Sequence, residues 1–261
     1  MDRERLLLHL QGAEERAIGA RLVDLAERAL RDDRPLASDF LDPLGQKIAQ
    51  SILGSIPEVS YRAYGGYPKA ERRRLLIFPE YDSHEEFDEP IAALDLTLES
   101  KFDGAGHRDC LGAILGTGLE RDKVGDIIVT SRGFQAVVAV EVADFLLTHL
   151  THVGKIPVTV ERIDPERLEV PPERVKEIRA TVASLRLDAV ASLGFGVSRT
   201  RMAREIKGER VKLNWKTVRD PAHSVAQGDT LSIRGRGRVV VEEVQGTTRK
   251  GRISLLLKRY V

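Results

Sequence analysis

The sequence of 261 residues predicts an α+β protein in three parts. Three observations carry that expectation. Apolar side chains recur at steps of three and four over residues 3–31. Strand-like and helix-like segments follow in the order βαββαβ over residues 91–163. A basic end then combines two short helices with alternating strands. The expected boundaries are a helical domain at 1–70, an α+β domain at 71–164, a linker at 165–179 and a C-terminal domain at 180–261.

The first stripe joins Leu6, Leu7, Leu10, Ala17, Ile18, Leu22, Leu25 and Ala29 on one helix face, and Asp32-Asp33-Arg34-Pro35 ends it. Pro43 suits the first position of a second helix, with Asp42 as N-cap and Gly54 as C-cap. Leu44, Ile48 and Ile52 face inward. Gly65-Gly66 and Pro68 mark a turn, and Arg74–Phe78 has strand character. Tyr61, Tyr64 and Tyr67 beside Arg72, Arg73 and Arg74 read either as turn tyrosines packed between domains, with solvated arginines, or as a stacking-and-phosphate patch. PEYDSHEEFDEP, residues 79–90, reads as an exposed acidic loop.

In the middle part, Ile91–Leu98, Asp126–Thr130, Phe134–Val140 and Val158–Ile163 read as strands. His107–Leu115 and Val142–Val153 read as helices. An antiparallel sheet with two helices on one face follows, the ferredoxin-like plan shared by RNA-recognition domains. Arg132-Gly133-Phe134 sits where those domains carry a signature on their third strand, but Val137 and Ala139 stand where aromatics are needed. A base-stacking sheet is not expected.

DPERLEVPPERV, residues 164–175, carries three prolines and reads as a linker. Beyond it a helix is expected at about Leu187–Leu193, burying Leu187, Val190 and Leu193. Ser198 caps a second, about Arg199–Lys207, which buries Met202, Ala203 and Ile206. Thr200, Arg204 and Lys207 share an arc away from that face. Arg199 lies in the first turn, where free N–H groups attract anions. Val211–Lys216 alternates, sending Val211, Leu213 and Trp215 to the core and Lys212, Asn214 and Lys216 outward. Gln227-Gly228-Asp229 is a turn before Leu231–Ile233, and Arg234-Gly-Arg236-Gly-Arg238 sets arginines on a chain open to a phosphate.

Charge follows the same division. From Lys176 to Val261 there are 19 Lys and Arg against 8 Asp and Glu, so the net charge of +1 hides a basic end on an acidic body. That asymmetry fits one domain meeting a polyanion. The single cysteine, Cys110, excludes an intramolecular disulfide and fits a reducing cytosol. The start, MDRERLLLHLQG, lacks the apolar run of a signal peptide, and no stretch is expected to span a bilayer. A cytoplasmic monomer without cofactor or metal is expected.

Arg186-Leu187-Asp188, Ser198-Arg199, Gly208 with Val211–Lys216, and Gly228-Asp229 resemble the S4-type RNA-binding domain, over roughly residues 180–240. The resemblance implies a helix pair and strand contacting structured RNA. It points to Arg186, Ser198, Arg199, Lys207, Lys212, Asn214 and Lys216. With the outward Thr200, Arg204, Arg234 and Arg236 these form the expected RNA-binding set. Trp215 stands where a glycine often follows the asparagine.

Gly65-Gly66-Tyr67-Pro68, Ala70-Glu71-Arg72 and Gly106-His107-Arg108-Asp109, continuing to Gly125-Asp126-Ile127-Ile128, resemble the YlmH family along almost the whole chain. The run from Ala191 to Trp215 and the Arg234–Arg238 repeat are most similar to the branch labelled photosystem II S4 domain protein in cyanobacteria. The family resemblance implies a helical N-terminal part, an RNA-recognition-like middle and a C-terminal RNA binder. It also implies association with rRNA of the large ribosomal subunit and with tRNA, and a link to ribosome quality control.

Enzymatic readings are weaker. Arg186-Leu187-Asp188 also resembles the catalytic motif of pseudouridine synthases, but Asp188 at a short helix start is expected to cap or pair locally. Phe102-Asp103-Gly104-Ala105-Gly106 is a lone short glycine pattern outside repeated parallel βαβ units, too little for a methyl-donor or dinucleotide loop. His107 and Cys110 lack a third partner, and His149 and His152 read as structural. An RNA-modifying enzyme and a protein-binding adaptor remain the alternatives to non-enzymatic RNA binding.

Overall fold

Gly12 breaks the expected N-terminal helix in two. The computed structural model describes residues 2–82, 86–99, 105–172, 174–249 and 251–260, and forms two units, Met1–Pro171 and Pro172–Val261. In the first, α1 (Arg3–Leu7) and α2 (Ala13–Asp32) are separated because Gly12 adopts extended backbone as the N-cap of α2. The chain doubles back there so that Leu7 and Leu10 pack on Gly19, where even a Cβ would lie 2.6 Å from Leu10. β1 (Leu36–Ala37) leads to α3 (Pro43–Leu53), whose N-cap Asp42 accepts from the Gly45 N–H at 2.9 Å.

β2 (Val59–Tyr64) and β3 (Arg74–Pro79) complete a three-stranded sheet in the order β1-β3-β2. β3, placed by sequence in the middle domain, is therefore the central strand of the first sheet. Its run of buried Leu75, Leu76, Ile77 and Phe78 lacks the alternation of a half-exposed strand because both faces are covered. Leu22, Ala26, Ile48, Ile52, Leu75 and Ile77 share one core.

The middle elements are β4 (Ile91–Leu98), α4 (His107–Gly116), β5 (Val124–Val129), β6 (Gly133–Ala139), α5 (Val140–His149), β7 (His152–Val153) and β8 (Ile156–Ile163). The sheet order β5-β6-β4-β8-β7 is antiparallel throughout and keeps the expected βαββαβ order, with β7 added at one edge. α5 starts two residues before the expected helix and ends four before it, where β7 and β8 form a hairpin across Gly154. Leu94, Leu96, Phe134, Ile114 and Leu146 fill the space between sheet and helices. The other sheet face is covered as well: Phe40, Tyr64 and Leu168 pack on Ile91, Val137 and Ala139. Residues 83–85 of the acidic loop, and Phe102, Asp103 and Gly104 of the glycine pattern, lie outside the described residues.

Ion pairs and hydrogen bonds join the two halves of this unit. Arg74, its side chain 4% exposed, donates to the Ser38 carbonyl at 2.6 Å, to that of Pro90, and through both terminal nitrogens to Glu141 at 2.7 and 3.0 Å. Asp126 accepts from the Tyr67 hydroxyl at 2.7 Å and from the Glu71 and Arg72 N–H groups. Arg72 donates to the carbonyls of Phe40 and Val124. Burial, and then the neighbouring Arg72 charge, lower the Arg121 guanidinium to about 10. The tyrosines and arginines thus pack and clamp. The expectation of solvated arginines is corrected for Arg72 and Arg74, whose donors are taken by carbonyls of adjoining segments.

In the second unit, β9 (Val175–Val182) precedes α6 (Leu187–Phe195) and α7 (Arg199–Lys207). β10 (Val211–Leu213), β11 (Lys216–Thr217), β12 (Thr230–Ile233), β13 (Gly237–Thr247) and β14 (Ile253–Tyr260) follow. Six strands lie in the order β11-β10-β12-β13-β14-β9. The expected linker at 165–179 is shortened at its C-terminal end, because Val175–Val182 pairs along its whole length with β14. Its exposed Lys176, Glu177 and Arg179 hide a strand at the sheet edge, where charge is normal. Gly194 lets α6 approach β13, since a Cβ there would lie 2.6 Å from Val239.

Candidate nucleic-acid interface

The second unit's helix pair is held from its buried side by two carboxylates. Asp188, its side chain 7% exposed, accepts from Arg186 at 3.2 and 3.0 Å and pairs with Arg199 at 3.0 Å. Burial alone would raise the Asp188 carboxyl. Hydrogen bonds from Arg186 and Arg199, with their charges, outweigh burial and hold its pKa below the ordinary value. Both oxygens are engaged, as local pairing requires and a nucleophile would not.

Glu205 is the second anchor and was not foreseen. It is 10% exposed at its side chain and faces Arg210 at 3.3 Å, Arg236 at 3.5 Å and Arg201 at 4.0 Å. The buried face of α7 is therefore Met202, Glu205 and Ile206, with Ala203 only partly covered. The helical step from Met202 to Glu205 was a readable signal, masked by the assumption that a glutamate faces solvent. Three guanidinium groups around one carboxylate leave a local excess of positive charge.

Ser198 accepts from the Arg201 N–H at 3.3 Å, as an N-cap should. Thr200, Arg204 and Lys207 are exposed on α7, as are Lys212 and Lys216 on the β10–β11 hairpin and Arg234 in the β12–β13 turn. Arg204, Lys207, Lys212 and Arg234 enter no ion pair among the described residues. Arg236 leans back on Glu205. Of the expected set, Arg186, Arg199 and Arg236 thus serve buried carboxylates as well as facing outward.

The alternating strand expected over Val211–Lys216 is instead a hairpin. Asn214 and Trp215 adopt φ of 50° and 65°, and Leu213 pairs with Lys216 across them. Asn214 donates from Nδ2 to Asp229 at 2.8 Å, while its Oδ1 accepts from the Thr230 N–H at 3.0 Å and its own N–H reaches the Thr230 carbonyl at 2.8 Å. It is a bracket for the turn. Two successive positive φ values mark the tight turn that favours Asn-Gly. Trp215 holds the glycine position at a strain of about 1 kcal/mol. It does not join the hydrophobic core, where Leu213 and Val218 take part among the described residues.

Other candidates are set aside by geometry. Cys110 is fully buried, and burial pushes its thiol to about 12, while His107 is exposed on the same helix. No group of metal-ligating side chains occurs among the described residues. No helix among them is long and apolar enough to cross a membrane.

A helix pair whose second member is capped by Ser198, followed by a basic hairpin, defines an RNA-binding module. The S4 domain matches residues 185–231, the putative RNA-binding domain in YlmH matches 83–167, and the YlmH N-terminal domain matches 14–82. The chain belongs to the YlmH family. It is 40% identical over 222 residues, 85% of its length and 86% of the relative's, to the ribosome-associated protein quality control protein P2 of Bacillus subtilis strain 168. The cell division protein YlmH from Streptococcus pneumoniae shares the fold over 61% of this chain and 97% of that one, with a TM-score of 0.50 and 22% identity.

Proposed function

We propose that this protein is a cytoplasmic, non-enzymatic binder of folded RNA that works on the large ribosomal subunit in quality control, contacting rRNA and tRNA. The observation that carries the reading is the group of exposed cations on α7 and the β10–β11 hairpin, set on a scaffold whose inner arginines are tied to Asp188 and Glu205. Such cations neutralise phosphates, and their spacing suits shape-based recognition rather than reading of base sequence. The relative's name, a ribosome-associated quality control protein, supports the same assignment. The three parts are proposed to divide the work, with the C-terminal unit binding RNA and residues 1–171 determining where on the ribosome it binds.

The test is binding of ribosomal RNA and cosedimentation with large subunits by the wild type and an Arg204/Lys207/Lys212 triple alanine. Those three cations have no buried carboxylate to support, so the variant should fold. For every phosphate left without its cation, the slope of log affinity against log salt flattens by about 0.9. Equal affinity and equal slope for the two proteins would refute the assignment.

A further inference from the structure

Trp215 occupies a backbone position that excludes most side chains, and it gives nothing visible to the core in return. Its φ of 65° falls in the left-handed region, at the turn position where glycine is the natural occupant. The turn is not free to relax around the indole. Asn214 is bonded through its backbone N–H and both side-chain polar atoms to Asp229 and Thr230, and Asp229 in turn accepts from the Ala226 N–H at 2.8 Å. A strained residue persists only where its surroundings over-determine it, and such residues gather at functional positions.

The indole is only partly exposed, so it has a wall on one side and solvent on the other. Lys212 and Lys216, both exposed, flank it on the two arms of the hairpin, while Leu213 anchors the base. A flat aromatic between two cations at the tip of a rigid hairpin matches a nucleotide, whose base stacks while its phosphates meet the ammonium groups.

We infer that Trp215 is a stacking platform for one unpaired nucleobase, so that the RNA recognised by the C-terminal unit is a helix interrupted by a bulge, loop or junction. This rests on the RNA-binding reading above and adds to it a contact that fully paired RNA cannot make. Phosphate contacts from α7 and the lysines then give affinity for any RNA helix, and Trp215 selects the site where a base is free.

The full-length chain contains a single tryptophan, so its emission reports this position alone. Two labelled RNA hairpins serve as probes, identical except that one carries a single-purine bulge. Affinity by anisotropy and tryptophan emission are followed together for the wild type, W215G and W215F. The bulged hairpin should quench the emission and the paired one should not. W215G should bind the bulged hairpin about 5- to 150-fold more weakly, the equivalent of ~1–3 kcal/mol for one stacked base. It should bind the paired hairpin as the wild type does, and W215F should recover part of the loss.

W215G should also melt no lower than the wild type, because glycine relieves the turn. Equal affinities for the two hairpins in wild type and W215G, with unmoved emission, would overturn the stacking role and leave RNA binding intact. A lower melting point for W215G would overturn it too, by making the indole a structural element. Failure of the wild type to bind either hairpin would remove the RNA-binding reading itself.

Discussion

Replacing Asp188 by asparagine separates structural from catalytic use of the Arg-Leu-Asp motif. The carboxylate receives three charge-assisted contacts, two from Arg186 at 3.2 and 3.0 Å and one from Arg199 at 3.0 Å. An amide offers one oxygen, so its nitrogen would meet a guanidinium donor to donor. Hydrogen bonds to charged groups contribute about 1.5–3 kcal/mol. The arginines, 39% and 55% exposed at their side chains, regain water when the carboxylate goes, so the net cost falls toward about 2 kcal/mol. For a unit the size of residues 172–261 that lowers its melting temperature by about 8–16 °C.

Calorimetry of the full chain should show that transition moved and the transition of residues 1–171 unchanged. The pH dependence gives a second signature. Asp188 has its folded pKa held down, so its contribution is complete above the ordinary value of about 3.9 and is lost as pH falls through the depressed one. The gap between wild type and D188N should be full at pH 7 and close on acidification below about pH 4. A D188N chain as stable as wild type at pH 7, or a gap that persists in acid, would refute the network as described.

Two further outcomes are expected. Arg74→Met leaves Glu141 without its bidentate partner and three acceptors without a donor, and should destabilise residues 1–171 by about 3 kcal/mol, measured by denaturant unfolding. Cys110 should resist iodoacetamide at pH 8 in the folded chain and react only under denaturant, because burial holds its thiol near 12; mass spectrometry of the alkylated protein checks this.

Periodic segments were legible in the sequence where burial alone decides their form. β4 and α7 run over the residues expected, and α4 ends one residue beyond its expected end, because each has one clear period and a definite start or stop. The misses share a different cause. β2 and β9 carry charged or turn-like residues that are tolerated only because a neighbouring strand pairs with them, and that partner lies far away in sequence. Glu205 and the Asn214-Trp215 turn were misread because local rules favour an outward glutamate and a continued strand. The competing contacts, three arginines for one and Asp229 with Thr230 for the other, come from elsewhere in the fold. Within the candidate site, residue identities were legible; which cations hold the scaffold and which are open to ligand was not.

β3 is the middle strand of the first sheet, yet its first residue, Arg74, is bonded to Glu141 at the start of α5. Residues 14–82 and 83–167 match separate family models, but as inherited pieces they are bound to one another. A gene fragment ending after residue 82 would encode a guanidinium with no counter-charge and a Phe40 with no sheet to cover. The cut that recombination could exploit lies at residues 171 and 172, so this lineage can trade its RNA-binding end more readily than it can reshuffle its first two parts.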